Sequence, residues 1–307
     1  MKQHIKIGTR GSKLALWQAH EVQRVITEKF PDIETEIIVI KTKGDKILDV
    51  SLSKIGDKGL FTKEIEHALL GGEIDMAVHS FKDMPTELPE NLAIGAVLPR
   101  ADVRDVFVSK DGRKLSEMTA VDKIGTSSLR RKAQLLAYNP ELQIVDIRGN
   151  VETRLQRMND GLCDAIIMAG AGFIRLGYAD QITEFFGEDL MLPAVSQGAV
   201  AIEVREEDEE ITELMDAIND ENTWTECMAE RCLLRTLEGG CQVPVGCTSK
   251  VDGDAFKMTA LVASLDGSKV VCESISCSVE FSAEKAIELG ELLWNKGAKD
   301  ILNAIRK

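Results

Sequence analysis

The stretch Lys6-Ile7-Gly8-Thr9-Arg10-Gly11-Ser12 sets the reading of the fold. An apolar strand ends at Thr9. Ser12 is then placed to cap a helix, because its oxygen can accept from the unsatisfied N–H groups of a first turn. Ala15, Ala19, Val22 and Ile26 follow at i, i+4, i+7 and i+11, one face of a helix. Strand, tight turn and capped helix make the first half of a βαβ unit. The pattern repeats outward. Glu36-Ile37-Ile38-Val39-Ile40 reads as a buried strand, Phe61 to Leu70 as a helix ended by Gly71-Gly72, and Asp75-Met76-Ala77-Val78-His79 as the next strand. A second series follows residue 100. Ile124-Gly125-Thr126 closes a strand, and Ser127-Ser128 precede a helix from Leu129 to Ala137. The strand Ile144-Val145-Asp146-Ile147 leads to a helix from Val151 to Asn159, and Ala165-Ile166-Ile167-Met168 leads into Gly170 to Gly177. This alternation predicts mainly parallel sheet, and two series predict two α/β lobes facing each other across a cleft. Open α/β sheets bind ligands beyond the carboxyl ends of their strands.

The last third changes character. Thr223 to Leu237 reads as a helix and Glu238 to Gly246 as a loop. Residues 247 to 279 carry turn signals at Asp252-Gly253 and Asp266-Gly267 between alternating apolar runs, as in an antiparallel meander. Ser282 to Ile305 is helical with a break at Gly297. This makes a small α+β C-terminal domain. The acidic run Glu206 to Glu210 reads as a solvated face opening a helix.

The chain has 307 residues, enough for two or three domains, with 44% hydrophobic and 29% charged side chains. No apolar run approaches the roughly 18–20 residues a membrane span needs. The start lacks the apolar stretch of a signal peptide, so a cytoplasmic location is expected. With 37 basic and 51 acidic side chains the net charge is −14, which argues against general nucleic-acid or anionic-membrane binding. Seven cysteines, an odd number without a Cys-x-x-Cys pair, fit reduced thiols. Cys227, Cys232, Cys241 and Cys247 cluster, but their gaps match no common zinc pattern, so no metal is expected.

Against the acidic average, Arg130, Arg131, Arg148, Arg154, Arg157 and Arg175 fall close together. Most lie just past strand ends or in first helical turns, as does Arg10. A guanidinium fork pairs with carboxylate or phosphate through two hydrogen bonds, and helix starts add N–H donors. With the hydroxyls of Ser12, Thr126 and Ser128, the set points to a ligand bearing several negative charges. Solvated helix faces and simple capping are the plainer alternative. In His79-Ser80-Phe81-Lys82-Asp83-Met84-Pro85 a carboxylate stands beside an ammonium at the mouth of the same cleft. Asp83 is suited to steer protons or stabilise a developing cation, with Lys82 holding ligand carboxylates or tuning it. An exposed ion pair in a turn is the alternative, and His79 by itself reads as structural. Cys241, in Gly239-Gly240-Cys241-Gln242-Val243-Pro244, offers a thiol on a loop. A thiolate there is a nucleophile or an attachment point, but no histidine forms a signature with it. Chemistry by itself therefore favours an inert small residue. The polar stretch between Lys41-Thr42-Lys43-Gly44-Asp45-Lys46 and Asp57-Lys58-Gly59-Leu60-Phe61 is a candidate lid. It matches neither the Walker A nor the Rossmann glycine pattern, so nucleotide binding is not expected.

In order and spacing these segments resemble the porphobilinogen deaminases nearly end to end. The resemblance is carried by Gly8-Thr9-Arg10-Gly11-Ser12-Lys13-Leu14-Ala15, Lys41 to Asp45, Lys58 to Glu64 and Val78 to Thr86. It continues in Gly125-Thr126-Ser127-Ser128-Leu129-Arg130-Arg131, Arg148 to Leu155 and Gly239 to Pro244. It implies two periplasmic-binding-protein-like lobes flanking a cleft, plus the C-terminal domain. The boundaries expected are 1–98 with 199–217 for lobe 1, 103–194 for lobe 2 and 221–307 for the third domain. It also implies a dipyrromethane cofactor in thioether linkage to Cys241. The activity implied joins four porphobilinogen molecules head to tail and releases hydroxymethylbilane by hydrolysis. Asp83 would assist loss of ammonia. Arg10, Ser12, Lys82, Thr126, Ser128, Arg130, Arg131, Arg148, Arg154 and Arg175 would hold acetate and propionate groups, with Lys58 and Phe61 in the lid. A monomer is expected. Family members usually carry glycine where Ser196 and Asp57 stand here, which bears on the crossover back to lobe 1 and on the lid. Two rivals are a non-catalytic solute-binding or effector-sensing module, and an unrelated transferase using Cys241 as a transient nucleophile.

Overall fold

The computed structural model describes residues 2–46, 62–237 and 243–305. Asp57, Lys58, Phe61 and Cys241 lie outside the described residues. The chain divides into two compact units, residues 1–101 with 199–224 and residues 102–198 with 225–307. The first unit opens with strands β1 (His4–Thr9), β2 (Glu34–Val39), β3 (Met76–Ser80) and β4 (Leu92–Val97). The second holds β5 (Asp105–Ser109), β6 (Lys123–Gly125), β7 (Gln143–Val145), β8 (Ala165–Ala169) and β9 (Glu184–Phe185). The chain then returns to the first unit as β10 (Val200–Arg205). It ends in the second with β11 (Val245–Asp252), β12 (Ala255–Ala263) and β13 (Val270–Ser278).

The first unit is a five-stranded sheet in the order β2-β1-β3-β10-β4. Strands β2, β1 and β3 run parallel, and β10 runs antiparallel to both of its neighbours. The sheet is therefore mixed, where the alternation predicted mainly parallel pairing. The cause is topological: β10 enters from the other unit, so it needs no right-handed helical crossover and is free to run the other way. Strand β2 is a half-buried edge rather than the buried strand expected, with Glu34, Glu36 and Val39 exposed. The Lys13–Lys29 helix buries Ala15, Gln18, Ala19, Val22 and Ile26. Ile5, Ile7, Met76, Val78 and Ile202 meet Ala19, Val22 and Ile26 in one core. Each fully buried Ile or Val there contributes about 1.5–3 kcal/mol of hydrophobic stabilisation.

The second unit contains another five-stranded sheet, ordered β7-β6-β8-β5-β9. Here β6 is parallel to β7 and β8, whereas β5 is antiparallel to β8 and β9. Phe107 and Phe186 pack with ring centroids 5.9 Å apart on one face. The same unit carries the antiparallel meander β11-β12-β13. Alternate residues of β13 are exposed, as befits a strand covered on one face only. The Ser282–Leu293 and Lys299–Ile305 helices supply Ala286, Leu289, Leu293, Ile301 and Leu302 to the core beneath. Between them the helix breaks at Gly297, with φ 119. Ala133, Leu192, Leu261 and Ala263 form a small core joining meander and α/β sheet. The β12–β13 turn docks so closely there that a Cβ on Gly267 would lie 2.2 Å from the Ala137 nitrogen. Among the described residues no helix is long and apolar enough to cross a membrane.

Candidate active site

Three parallel strands put three loops at one edge of a sheet. In the second unit these loops follow β6, β7 and β8, and they carry most of the expected ligand-binding residues. Ser128 caps the Leu129–Tyr138 helix, its hydroxyl accepting from the Arg131 N–H at 3.4 Å. Buried Thr126 accepts from the Ser128 N–H at 3.2 Å, so both hydroxyls order the turn. After β7, Arg148 is half-buried and is followed by Gly149 at φ 106, a conformation that disfavours a side chain. Asn150 then caps the Val151–Asn159 helix by accepting from the Thr153 N–H at 2.8 Å. Arg154 folds back over this loop: its Nε donates to the Gly149 carbonyl at 2.8 Å, and Nη1 lies 3.6 Å from Met168 Sδ. Arg175 ends the Gly170–Arg175 helix after β8, half-buried, with Nη2 donating to the Gly198 carbonyl at 2.8 Å.

The first unit repeats the design. Arg10 and Ser12 follow β1, and Lys82 and Asp83 follow the parallel strand β3. Arg10 is half-buried, and the Ser12 hydroxyl accepts from the Ala15 N–H at 3.2 Å as the helix cap. Residues Phe81–Asp83 form one tight turn. Phe81 and Met84 are buried and pin it, with the Phe81 N–H donating to the Ala199 carbonyl at 3.1 Å. The residues between them are thereby held outward, Lys82 half-buried and Asp83 exposed. His79 lies inside, its Nε2 3.0 Å from Glu203 Oε2, in the structural role read for it.

Arg130 and Arg131 behave differently from the other arginines. Both are buried, and both pair with Asp105, which is fully enclosed at the start of β5. Burial alone would raise the Asp105 carboxyl. The two guanidiniums outweigh it and hold the group well below the ordinary carboxylate range. Asp105 was not among the residues expected from sequence, nor was Gln197, whose side-chain nitrogen donates to the same carboxylate at 2.9 Å. One signal was available: a single acid entering the apolar run Val106-Phe107-Val108 needs a buried partner. No spacing rule identifies that partner 25 residues away.

Two family models match the chain. "Porphobilinogen deaminase, dipyromethane cofactor binding domain" covers residues 5–213, and "Porphobilinogen deaminase, C-terminal domain" covers residues 224–298. The porphobilinogen deaminase of Desulforamulus reducens is 50% identical over 306 residues, 100% of this chain and 99% of that protein. The one from Syntrophomonas wolfei is 49% identical over 304 residues, 99% of each. Among solved structures the methionine binding protein MetQ is similar at 14% identity, with a TM-score of 0.44 over 72% of this chain and 92% of that one. With a family model across residues 5–213 and half the positions identical over the whole length, the chain belongs to the porphobilinogen deaminase family.

Proposed function

We propose that this chain joins four porphobilinogen molecules head to tail and releases hydroxymethylbilane by hydrolysis, as a transferase of tetrapyrrole biosynthesis. The observation that carries the reading is the set Thr126, Ser128, Arg148, Arg154 and Arg175 at one sheet edge, in a chain of this family. Each pyrrole carries an acetate and a propionate, so a growing chain is a polyanion. Guanidinium groups and helix starts are suited to hold it. The same donors fit a dipyrromethane cofactor, for which Cys241 would be the anchor. When bound, that cofactor supplies a free pyrrole α-carbon on which the first unit is added.

Arg10, Ser12 and Lys82 join the second-unit residues, with Arg130 and Arg131, in holding carboxylates. Asp83 stands on a turn pinned by buried Phe81 and Met84, so the backbone that carries its carboxylate is held in place. There it accepts from pyrrole N–H groups. In each addition the aminomethyl C–N bond of porphobilinogen breaks and ammonia leaves with the bonding pair. Asp83 stabilises the azafulvene cation left behind. A new C–C bond forms to the α-carbon of the preceding pyrrole, which gives up its proton. The division into lobe 1 (1–98 with 199–217), lobe 2 (103–194) and a third domain (221–307) belongs to this reading, supported by three separate sheets. So does a cytoplasmic monomer, and a net charge of −14 supports its binding neither nucleic acid nor anionic membrane. The test is to feed porphobilinogen and count products. Four ammonia molecules should appear per hydroxymethylbilane, and Asp83→Asn should keep its cofactor yet lose about 100-fold or more in rate. Near-normal turnover in that variant would remove Asp83 from the chemistry.

A further inference from the structure

The Asp105 carboxylate accepts four hydrogen bonds. Arg130 Nη1 donates at 2.6 Å, Arg131 Nη2 at 2.8 Å and Nε at 3.2 Å, and Gln197 Nε2 at 2.9 Å. The same donors tie in more backbone. Arg130 Nη1 reaches the Leu192 carbonyl at 2.7 Å, Arg131 Nη1 the Ile167 carbonyl at 3.0 Å, and Gln197 Nε2 the Val103 carbonyl at 2.7 Å. One buried acid thus fixes a helix start, the middle of β8 and the segments around 103 and 192–197.

The charges in this node do not cancel. One carboxylate faces two guanidiniums, and neither guanidinium has another acid as a salt-bridge partner among the described residues. A guanidinium does not shed its proton in a protein, so the trio holds a net charge of +1 in the interior. Its hydrogen bonding is also lopsided. Both bonds from Arg130 leave Nη1, so among the described residues its Nε–Nη2 edge is uncommitted. That edge is a planar fork that matches a carboxylate with two parallel hydrogen bonds.

We propose that Asp105 is a positioning residue for carboxylate recognition. It holds Arg130 with the Nε–Nη2 edge presented to one carboxylate of the pyrrole ligand, and it leaves the node one negative charge short, so that the ligand completes it. The inference rests on the function proposed above and deepens it by assigning what orients one of its carboxylate-binding residues.

The experiment uses full-length Asp105→Asn, Asp105→Glu and Gln197→Met beside wild type. It reads cofactor occupancy by intact mass, KM and kcat for porphobilinogen per loaded chain, and the thermal midpoint. Asp105→Asn should emerge poorly loaded. Its loaded fraction should show a KM raised about tenfold or more with kcat changed far less, since binding and not chemistry is misdirected. Asp105→Glu, which keeps the charge, should recover much of the loading. Gln197→Met removes one of the four bonds and no charge, and should raise KM about threefold. If Asp105→Asn does not fold, Gln197→Met decides. A wild-type KM in that variant, or wild-type KM and loading in folded Asp105→Asn, overturns the proposal, because a merely structural residue moves the thermal midpoint alone. A wild type that neither carries cofactor nor consumes porphobilinogen would instead overturn the functional reading beneath it.

Discussion

Ser196→Gly should make this protein more stable. Ser196 sits at φ 58, fully buried, with a hydroxyl oxygen that has no hydrogen-bond partner among the described residues. Holding a Cβ in the left-handed region costs about 1–2 kcal/mol, and an unpartnered buried hydroxyl costs about 1 kcal/mol more. Glycine removes both. Against that, glycine adds about 0.5–1 kcal/mol of unfolded-state entropy, and the lost CH₂ gives up about 0.8 kcal/mol of burial. The net is about 1 kcal/mol in favour of glycine, or roughly 1–2 °C in midpoint for a chain of this size. The backbone N–H of residue 196 donates to Glu230 Oε2 at 2.6 Å, and glycine keeps that donor, so the network should survive. Urea and thermal unfolding of the purified chain measure the change, with the urea slope expected to stay constant. A loss of about 1 kcal/mol or more would mean instead that the serine is relaxed there and its hydroxyl bonded.

Gly267→Ala should be costly. Its Cβ would lie 2.2 Å from the Ala137 nitrogen and 2.3 Å from the Leu136 carbonyl carbon, both backbone, at φ +72. A loss of about 3 kcal/mol is expected, read as a lower urea midpoint, and a neutral effect would contradict the docked turn. Burial pushes the Glu66 carboxyl up from its ordinary 4.5, with Thr62 opposing and Glu203 adding to the rise. A carboxyl held higher in the fold than in the unfolded chain costs stability as pH climbs above 4.5. Glu66→Gln should therefore raise the thermal midpoint at neutral pH, with the gain fading as pH falls toward 4.5. A gain independent of pH would contradict this assignment. Arg148→Leu should stop chain growth or cofactor assembly, and unchanged product formation would count against carboxylate binding there.

What was legible in the sequence was local. Ser12 and Ser128 cap helices where the pattern placed them, and Gly297 breaks the last helix as expected. Each of these depends on residues within a turn or two. The antiparallel insertion of β10 was hidden because its partners, β3 and β4, lie more than a hundred residues earlier. The exposure of β2 was hidden because an edge strand and a central one share the same apolar run. Asp83 and the arginines that follow strand ends lie in the chain positions the pattern gave them. Asp105 could not be read this way, since its partners Arg130 and Gln197 lie 25 and 92 residues away. Ser196 was visible only as a departure from the family's usual glycine, and its positive φ supplies the physical reason that glycine is favoured there.

Whether this chain builds hydroxymethylbilane on a cofactor tethered to Cys241 is decided by the intact mass of the native protein. Wild type should carry a permanent adduct of two pyrrole units, and Cys241→Ser should carry none and be inactive. Wild-type protein that is fully active yet unmodified would rule the tether out.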